Sequence, residues 1–120
     1  MKKKQTPADR LFAAGLAAHQ KGQFDTAFTQ YEAALQRDAR HFDTLHHIGI
    51  LGYQNGDHEL ALQFMSEAIS VDPGVSSAYS NLGNIFKAIG EHEAALQSYG
   101  QALALSPGNV DALYNRGNVL

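Results

Sequence analysis

The chain has no cysteine, so it forms no disulfide, offers no thiolate nucleophile and builds no thiolate metal site. That suits a reducing compartment, and the cytoplasm is the expected location. Charge is sparse as well: charged residues are 18% of the total and the formal net charge is -3. Three of the nine basic groups are Lys2, Lys3 and Lys4, so the body of the chain is more acidic than the total suggests. A phosphate backbone needs a clustered basic surface, which excludes nucleic acid as an expected partner. No apolar run approaches the ~20 residues that a bilayer demands, so no membrane partner is expected either. What remains is 120 residues, 44% of them hydrophobic, which makes one domain with a continuous core and argues against disorder.

The lysines at the start, followed by Leu11-Phe12-Ala13-Ala14-Gly15-Leu16, have the outline of a secretory signal. Asp9 and Arg10 interrupt that outline, and Gly15 belongs to another pattern: it stands thirty-four residues before Gly49, which stands thirty-four before Gly83, with Gly117 next. The spacing is general. Residues 42–75 laid on 76–109 coincide at Gly49/Gly83, Gly56/Gly90, His58/His92, Glu59/Glu93, Ala61/Ala95, Leu62/Leu96, Gln63/Gln97, Ala68/Ala102, Pro73/Pro107 and Gly74/Gly108. A fixed period of this kind marks a stack of identical supersecondary units.

Within each unit the apolar residues recur at three- and four-residue spacings, as in Ala27, Phe28, Tyr31, Ala34 and Leu35, which is a helical stripe and not the alternation of a strand. Thr6-Pro7 opens the first helix, with a hydroxyl to cap free amides and a proline where its missing N–H is harmless. Seven helices are expected, over about 8–20, 24–37, 42–54, 58–71, 76–88, 92–105 and 110–120. Gly22, Gly56 and Gly90 separate the members of each pair and call for a left-handed backbone. Gly15, Gly49, Gly83 and Gly117 fall inside helices, where each is worse than alanine by about 1 kcal/mol. Their recurrence predicts a close approach by the partner helix, with Ala27, Ala61 and Ala95 as the matching small surface.

Glycine within the first helix of each unit, as Leu-Gly at Leu82-Gly83, glycine followed two residues later by Phe24, His58 or His92, alanine and tyrosine in the second helix, and proline after it together resemble the tetratricopeptide repeat. The resemblance covers about 8–120. It departs from the family pattern at the early bulky position, which holds Leu11, Leu45, Tyr79 and Leu113 and never tryptophan, and at Ala39 where the other units have proline. It implies an all-α, right-handed superhelical solenoid: a basic flexible tail over 1–7, full repeats over 8–41, 42–75 and 76–109, and the first helix of an incomplete fourth over 110–120. It also implies that the first helix of every unit lines a concave groove.

Register then maps that groove. One series is Ala13, His47, Asn81, Asn115; a second is Leu16, Ile50, Asn84, Asn118; a third is Phe12, His46, Ser80, Tyr114. With Tyr53 and Lys87, the candidate peptide- or partner-binding residues are Phe12, Leu16, His46, His47, Ile50, Tyr53, Ser80, Asn81, Asn84, Lys87, Asn115 and Asn118. The groove is expected to be apolar towards its N-terminal end and asparagine-lined towards the other. An asparagine amide both donates and accepts, so a ladder of four pairs with the backbone of an extended peptide whatever its side chains. The arrangement resembles the repeat region of O-linked N-acetylglucosamine transferases. The carboxylate clamp of chaperone-binding relatives would need basic groups where this chain has Phe12, Ser77 and Asn81, or His46, Asp111 and Asn115, so a chaperone tail is not expected.

No chemistry competes with this reading. His46 and His47 are adjacent and diverge by about 100° on a helix, which does not suit two ligands of one metal. The glycines recur with the repeat or stand singly within helices, leaving no phosphate loop, and no serine, histidine and aspartate share a nucleophile setting. No catalytic, metal or cofactor site is expected. The expected role is a scaffold that holds a protein or extended peptide, as the N-terminal docking region of a larger protein such as a glycosyltransferase. The alternative is a complete small adaptor that self-associates, forming a homodimer through its unfinished C-terminal helix.

Overall fold

The computed structural model describes residues 4–120; Met1, Lys2 and Lys3 of the expected basic tail lie outside the described residues. Seven helices follow one another: α1 (Pro7–Gln20), α2 (Phe24–Arg37), α3 (Phe42–Gln54), α4 (His58–Val71), α5 (Ser76–Ala88), α6 (His92–Leu105) and α7 (Val110–Val119). No strand occurs among the described residues.

Local chemistry sets the ends. Thr6 accepts from the Asp9 amide, and the Asp9 carboxylate accepts in return from the Thr6 amide, a reciprocal cap at the start of α1. Asp57 and Asn109 cap α4 and α7 with their side-chain oxygens. Gly22, Gly56 and Gly90 have φ of 75°, 76° and 84°. That left-handed turn lets the amide three residues beyond each helix reach back: Gln23 N–H donates to Ala18 O, Asp57 to Gly52 O and Glu91 to Phe86 O.

The helices pack as antiparallel hairpins, α1 with α2, α3 with α4 and α5 with α6, and each hairpin leans on the next. The odd-numbered helices touch their counterparts one repeat away; among the described residues, α2, α4 and α6 nowhere approach one another within 8 Å of backbone. The stack is therefore tight along one side and fanned open along the other, within 42 × 35 × 23 Å. Its core is three successive clusters, centred on Tyr31 with Ile48, on Met65 with Ile85, and on Tyr99 with Ala112. No single hairpin covers its own apolar face, so stability comes from nearest-neighbour burial.

The helical glycines sit at close approaches, where the nearest neighbour is a large side chain; at Gly15 the expected Ala27 also comes close, its carbonyl oxygen at 3.2 Å. A methyl group on Gly15 would lie 2.5 Å from the Tyr31 ring, one on Gly49 2.8 Å from the Met65 side chain, and one on Gly83 2.5 Å from the Tyr99 ring. The glycine is a bed for a large buried side chain. Ala61 does not face Gly49: its backbone lies over Gly52, 3.0 Å from where a β-carbon would stand. At Gly117 nothing comes within 4 Å among the described residues.

Candidate functional site

The inner face is built from α1, α3, α5 and α7, and the twelve expected residues divide there by accessibility. Phe12, Leu16, His47, Ile50, Asn81, Asn84, Lys87 and Asn115 are half-buried, while Tyr53 and Asn118 are exposed. His46 and Ser80 are buried, at 8% and 5% exposure. They occupy the seam between neighbouring odd-numbered helices, because their register turns towards the following repeat and away from the open surface.

That seam knits the inner wall together. The Phe12 ring stands edge-on to His47, 5.0 Å between centroids, and the His47 and His46 rings are 5.5 Å apart. His46 Nε2 then meets Asn81 Nδ2 at 2.9 Å across the α3/α5 boundary. For the amide to donate, this imidazole must be neutral with its proton on Nδ1. Burial, with His47 beside it, pushes the His46 pKa down to about 4. Burial lowers His47 as well, although its Nδ1–H donates to the Asp43 carbonyl at 2.8 Å. With both rings neutral at pH 7, Lys87 is the only charged side chain among the twelve.

The asparagines are less free than a plain ladder requires. Asn81 spends one N–H on His46, and Asn84 Oδ1 accepts from the Tyr99 hydroxyl. Each amide is thereby oriented, with the carbonyl of Asn81 and the NH₂ of Asn84 left unpaired among the described residues. Among the described residues, Asn115 and Asn118 make no side-chain hydrogen bond through their amides.

Sequence reasoning missed a second contributor. Tyr31 and Tyr99 belong to the outer helices, yet each ring crosses its glycine bed and delivers its hydroxyl to the inner wall. Tyr31 donates to His19 Nδ1 at 2.9 Å, while His19 Nε2–H donates to Gln54 Oε1 at 2.6 Å. Burial pushes both phenols up to about 12, so they stay protonated donors. Glycine followed sixteen residues later by tyrosine was the available signal. Between α1 and α3 this network edges an open hollow of about 430 Å³ lined by Leu16, Phe24, His47, Ile50 and Gln54. In the middle unit Met65 replaces the tyrosine, and a void of about 20 Å³ beside Ile50, Tyr53 and Asn81 marks the missing ring.

Outside this wall, His41 caps α3 by accepting from Thr44 and donates from Nε2 to Asp9 at 2.7 Å, tying the first two units together. The bond to His41 holds the Asp9 pKa down at about 2. Among the described residues no group of three or more histidines and carboxylates converges on a metal position, and no helix is long and apolar enough to cross a membrane.

Residues 12–76 match the family model described as Tetratricopeptide repeat, and residues 83–120 match the one described as TPR repeat. The chain is similar to a Thermobaculum terrenum O-GlcNAc transferase at 26% identity and a TM-score of 0.89, covering 98% of this chain but 23% of that one. MamA aligns at 28% identity with a TM-score of 0.86, over 93% of this chain and 61% of its own. The first TPR of Spaghetti (RPAP3), solved bound to an HSP90 peptide, has a TM-score of 0.90 over 93% of this chain and 89% of its own, at 20% identity, which speaks to fold alone. The chain thus spans under a quarter of the transferase and about three-fifths of MamA. A search of curated proteins finds no significant match.

Proposed function

The chain belongs to the tetratricopeptide repeat family, and on that premise we propose that its inner wall holds an extended segment of a partner protein by pairing with the partner's backbone. The observation that carries this reading is the orientation of two amides one turn apart on α5. Asn81, held by His46, presents a carbonyl to accept a guest N–H, and Asn84, held by Tyr99, presents an NH₂ to donate to a guest carbonyl. Orienting both before binding removes part of the ordering entropy that a free side chain loses on complex formation. Asn115 and Asn118 extend the row by one repeat, and Lys87 adds one positive charge beside it.

The hollow between α1 and α3 supplies the apolar end, where a guest side chain would rest on Leu16 and Ile50. Affinity would come from backbone pairing along α5 and α7, and selectivity from what fits that hollow. The likeness to the repeat region of an O-GlcNAc transferase supports a docking role within a longer polypeptide that carries its activity elsewhere.

The test is an array of unstructured peptides probed with the wild-type chain and with the Asn81→Ala, Asn84→Ala, Asn115→Ala, Asn118→Ala quadruple variant. Binding should fall by about tenfold or more while helicity and melting stay near wild type. Undiminished binding by the quadruple variant would sink the reading. A second reading, self-association, is favoured by the exposed apolar residues of α7, with Val110 at 73% and Tyr114 at 69% exposure. Light scattering across a concentration series tests it: a monomer at every concentration would refute it, and growth abolished by Leu113→Glu would support it.

A further inference from the structure

On the outer side of the stack we propose a second docking site, the furrow between α2 and α4, whose occupant is a cationic amphipathic helix from another protein. It is independent of the inner wall. The even-numbered helices fan apart, and between the first two the gap forms two adjoining hollows that share Phe28 as a common wall. One, of about 450 Å³, lies near the helix starts between Phe24, Leu51 and Leu60; the other, of about 240 Å³, lies further along between Leu35, Ile48 and Phe64.

The first hollow is flanked by Asp25 and the second by Glu32, seven residues apart on α2 and therefore about two turns, roughly 10 Å, along its axis. A guest helix with apolar side chains at i and i+7 matches that spacing, and one with i+3 or i+4 also filled would cover Phe28 between them.

Two features of the chain single out this furrow. Apolar bulk comes first: α4 turns Leu60 and Phe64 to the gap, whereas the same register positions on α6 are Ala94 and Ser98. The first junction therefore presents the larger apolar surface of the two. Charge is the other. Asp25 and Glu32 on α2 and Asp57 at the mouth line the two hollows, and no lysine or arginine does. From His41 to Phe86 the chain has no lysine or arginine at all. An apolar trough with acidic shoulders repels acidic segments and attracts a helix whose polar face is lysine and arginine. It also repels anionic lipid, so a soluble protein segment and not a membrane surface is the matching occupant.

The experiment titrates the full chain, labelled for amide NMR, with a synthetic leucine/lysine amphipathic helix of the length of α2, and with the same peptide carrying glutamate for lysine. The lysine peptide should shift amides of α2 and α4, with affinity falling as salt rises. The Asp25→Lys, Glu32→Lys variant should weaken it by about tenfold or more, since both side chains are exposed and neither supports the fold through a side-chain bond. Phe64→Ser, which installs the residue α6 already uses at that register, should weaken it while leaving the charge unchanged. If that variant melts early, the double reversal alone decides. The asparagine quadruple variant should bind the lysine peptide as wild type does, which separates this site from the inner wall. The proposal is overturned if the glutamate peptide binds equally well, if the double reversal binds unchanged, or if the shifts gather on α5 and α7.

Discussion

Replacing Gly83 with alanine tests the packing logic on which both surfaces depend. In a helix interior that change normally helps, by about 1 kcal/mol, because alanine has the better propensity and less backbone entropy to lose. Here the new methyl would stand 2.5 to 2.8 Å from three atoms of the Tyr99 ring. That ring is fully buried and tethered to Asn84, so it cannot swing aside as a surface side chain would. Displacing it costs about 1–3 kcal/mol in overpacking. Losing the Tyr99 bond to Asn84 adds about 1 kcal/mol. Set against the propensity gain, the net is a destabilisation of about 1–3 kcal/mol, seen as a melting temperature lower by roughly 4–12 °C. Gly100→Ala is the control: Gly100 is exposed in α6 with nothing within 4 Å of its missing β-carbon, so the same substitution should raise stability by up to about 1 kcal/mol. Thermal denaturation by far-UV circular dichroism reads both, and the summed near-UV signal of the tyrosines reports whether aromatic packing changes. A Gly83→Ala chain that melts at or above wild type would refute the claim that the glycine beds a tyrosine.

Acid should weaken the fold through His46. Its folded pKa of about 4 lies below the ordinary 6.5, so between those values the unfolded chain takes up a proton that the folded chain refuses. Stability is then full above about pH 6.5, falls by up to about 3 kcal/mol as pH drops to 4, and levels off below. His46→Ser, matching Ser80, should flatten most of that slope in urea titrations between pH 7 and 4; an unchanged slope would exonerate His46. Asp9 acts in a lower window: its depressed pKa gives stability that is lost only as pH falls from the ordinary 3.8 through about 2, and His41→Ala should shrink that step, leaving the part that the Thr6 bonds supply. Met65→Tyr should lay a ring across Gly49 and fill the small void beside Asn81, raising the melting temperature by a few degrees, worth under about 1 kcal/mol. A drop of several degrees would mean that the middle unit is not interchangeable with its neighbours.

Almost all of the helical framework was legible in the sequence, because each boundary is a local event. Gly22, Gly56 and Gly90 stop one helix by a backbone geometry that other residues adopt poorly, and Thr6, Asp57 and Asn109 start another by a bond three residues long. The inner wall was legible only as a list of positions. Register says that position 46 follows position 12, but not that His46 sinks into the seam while Phe12 stays half-open; that depends on the tilt between successive hairpins, which no local pattern encodes. Alignment likewise paired Gly49 with Ala61 by size, whereas the side chain over the glycine is Met65, one turn further along α4. The consequence reaches the site itself. The outer helices contribute to the inner wall through Tyr31 and Tyr99, whose hydroxyls orient His19 and Asn84, so a glycine that looks like a packing detail decides which half of an asparagine is left unpaired. A substitution at Gly83 should therefore disturb binding as well as stability, and Tyr99→Phe separates the two. It keeps the ring on its bed and removes only the hydroxyl, leaving Asn84 free to rotate. Peptide affinity should fall while melting moves by no more than the about 1 kcal/mol that one hydrogen bond contributes. Full affinity in that variant would mean that the orientation of Asn84 plays no part in holding a guest.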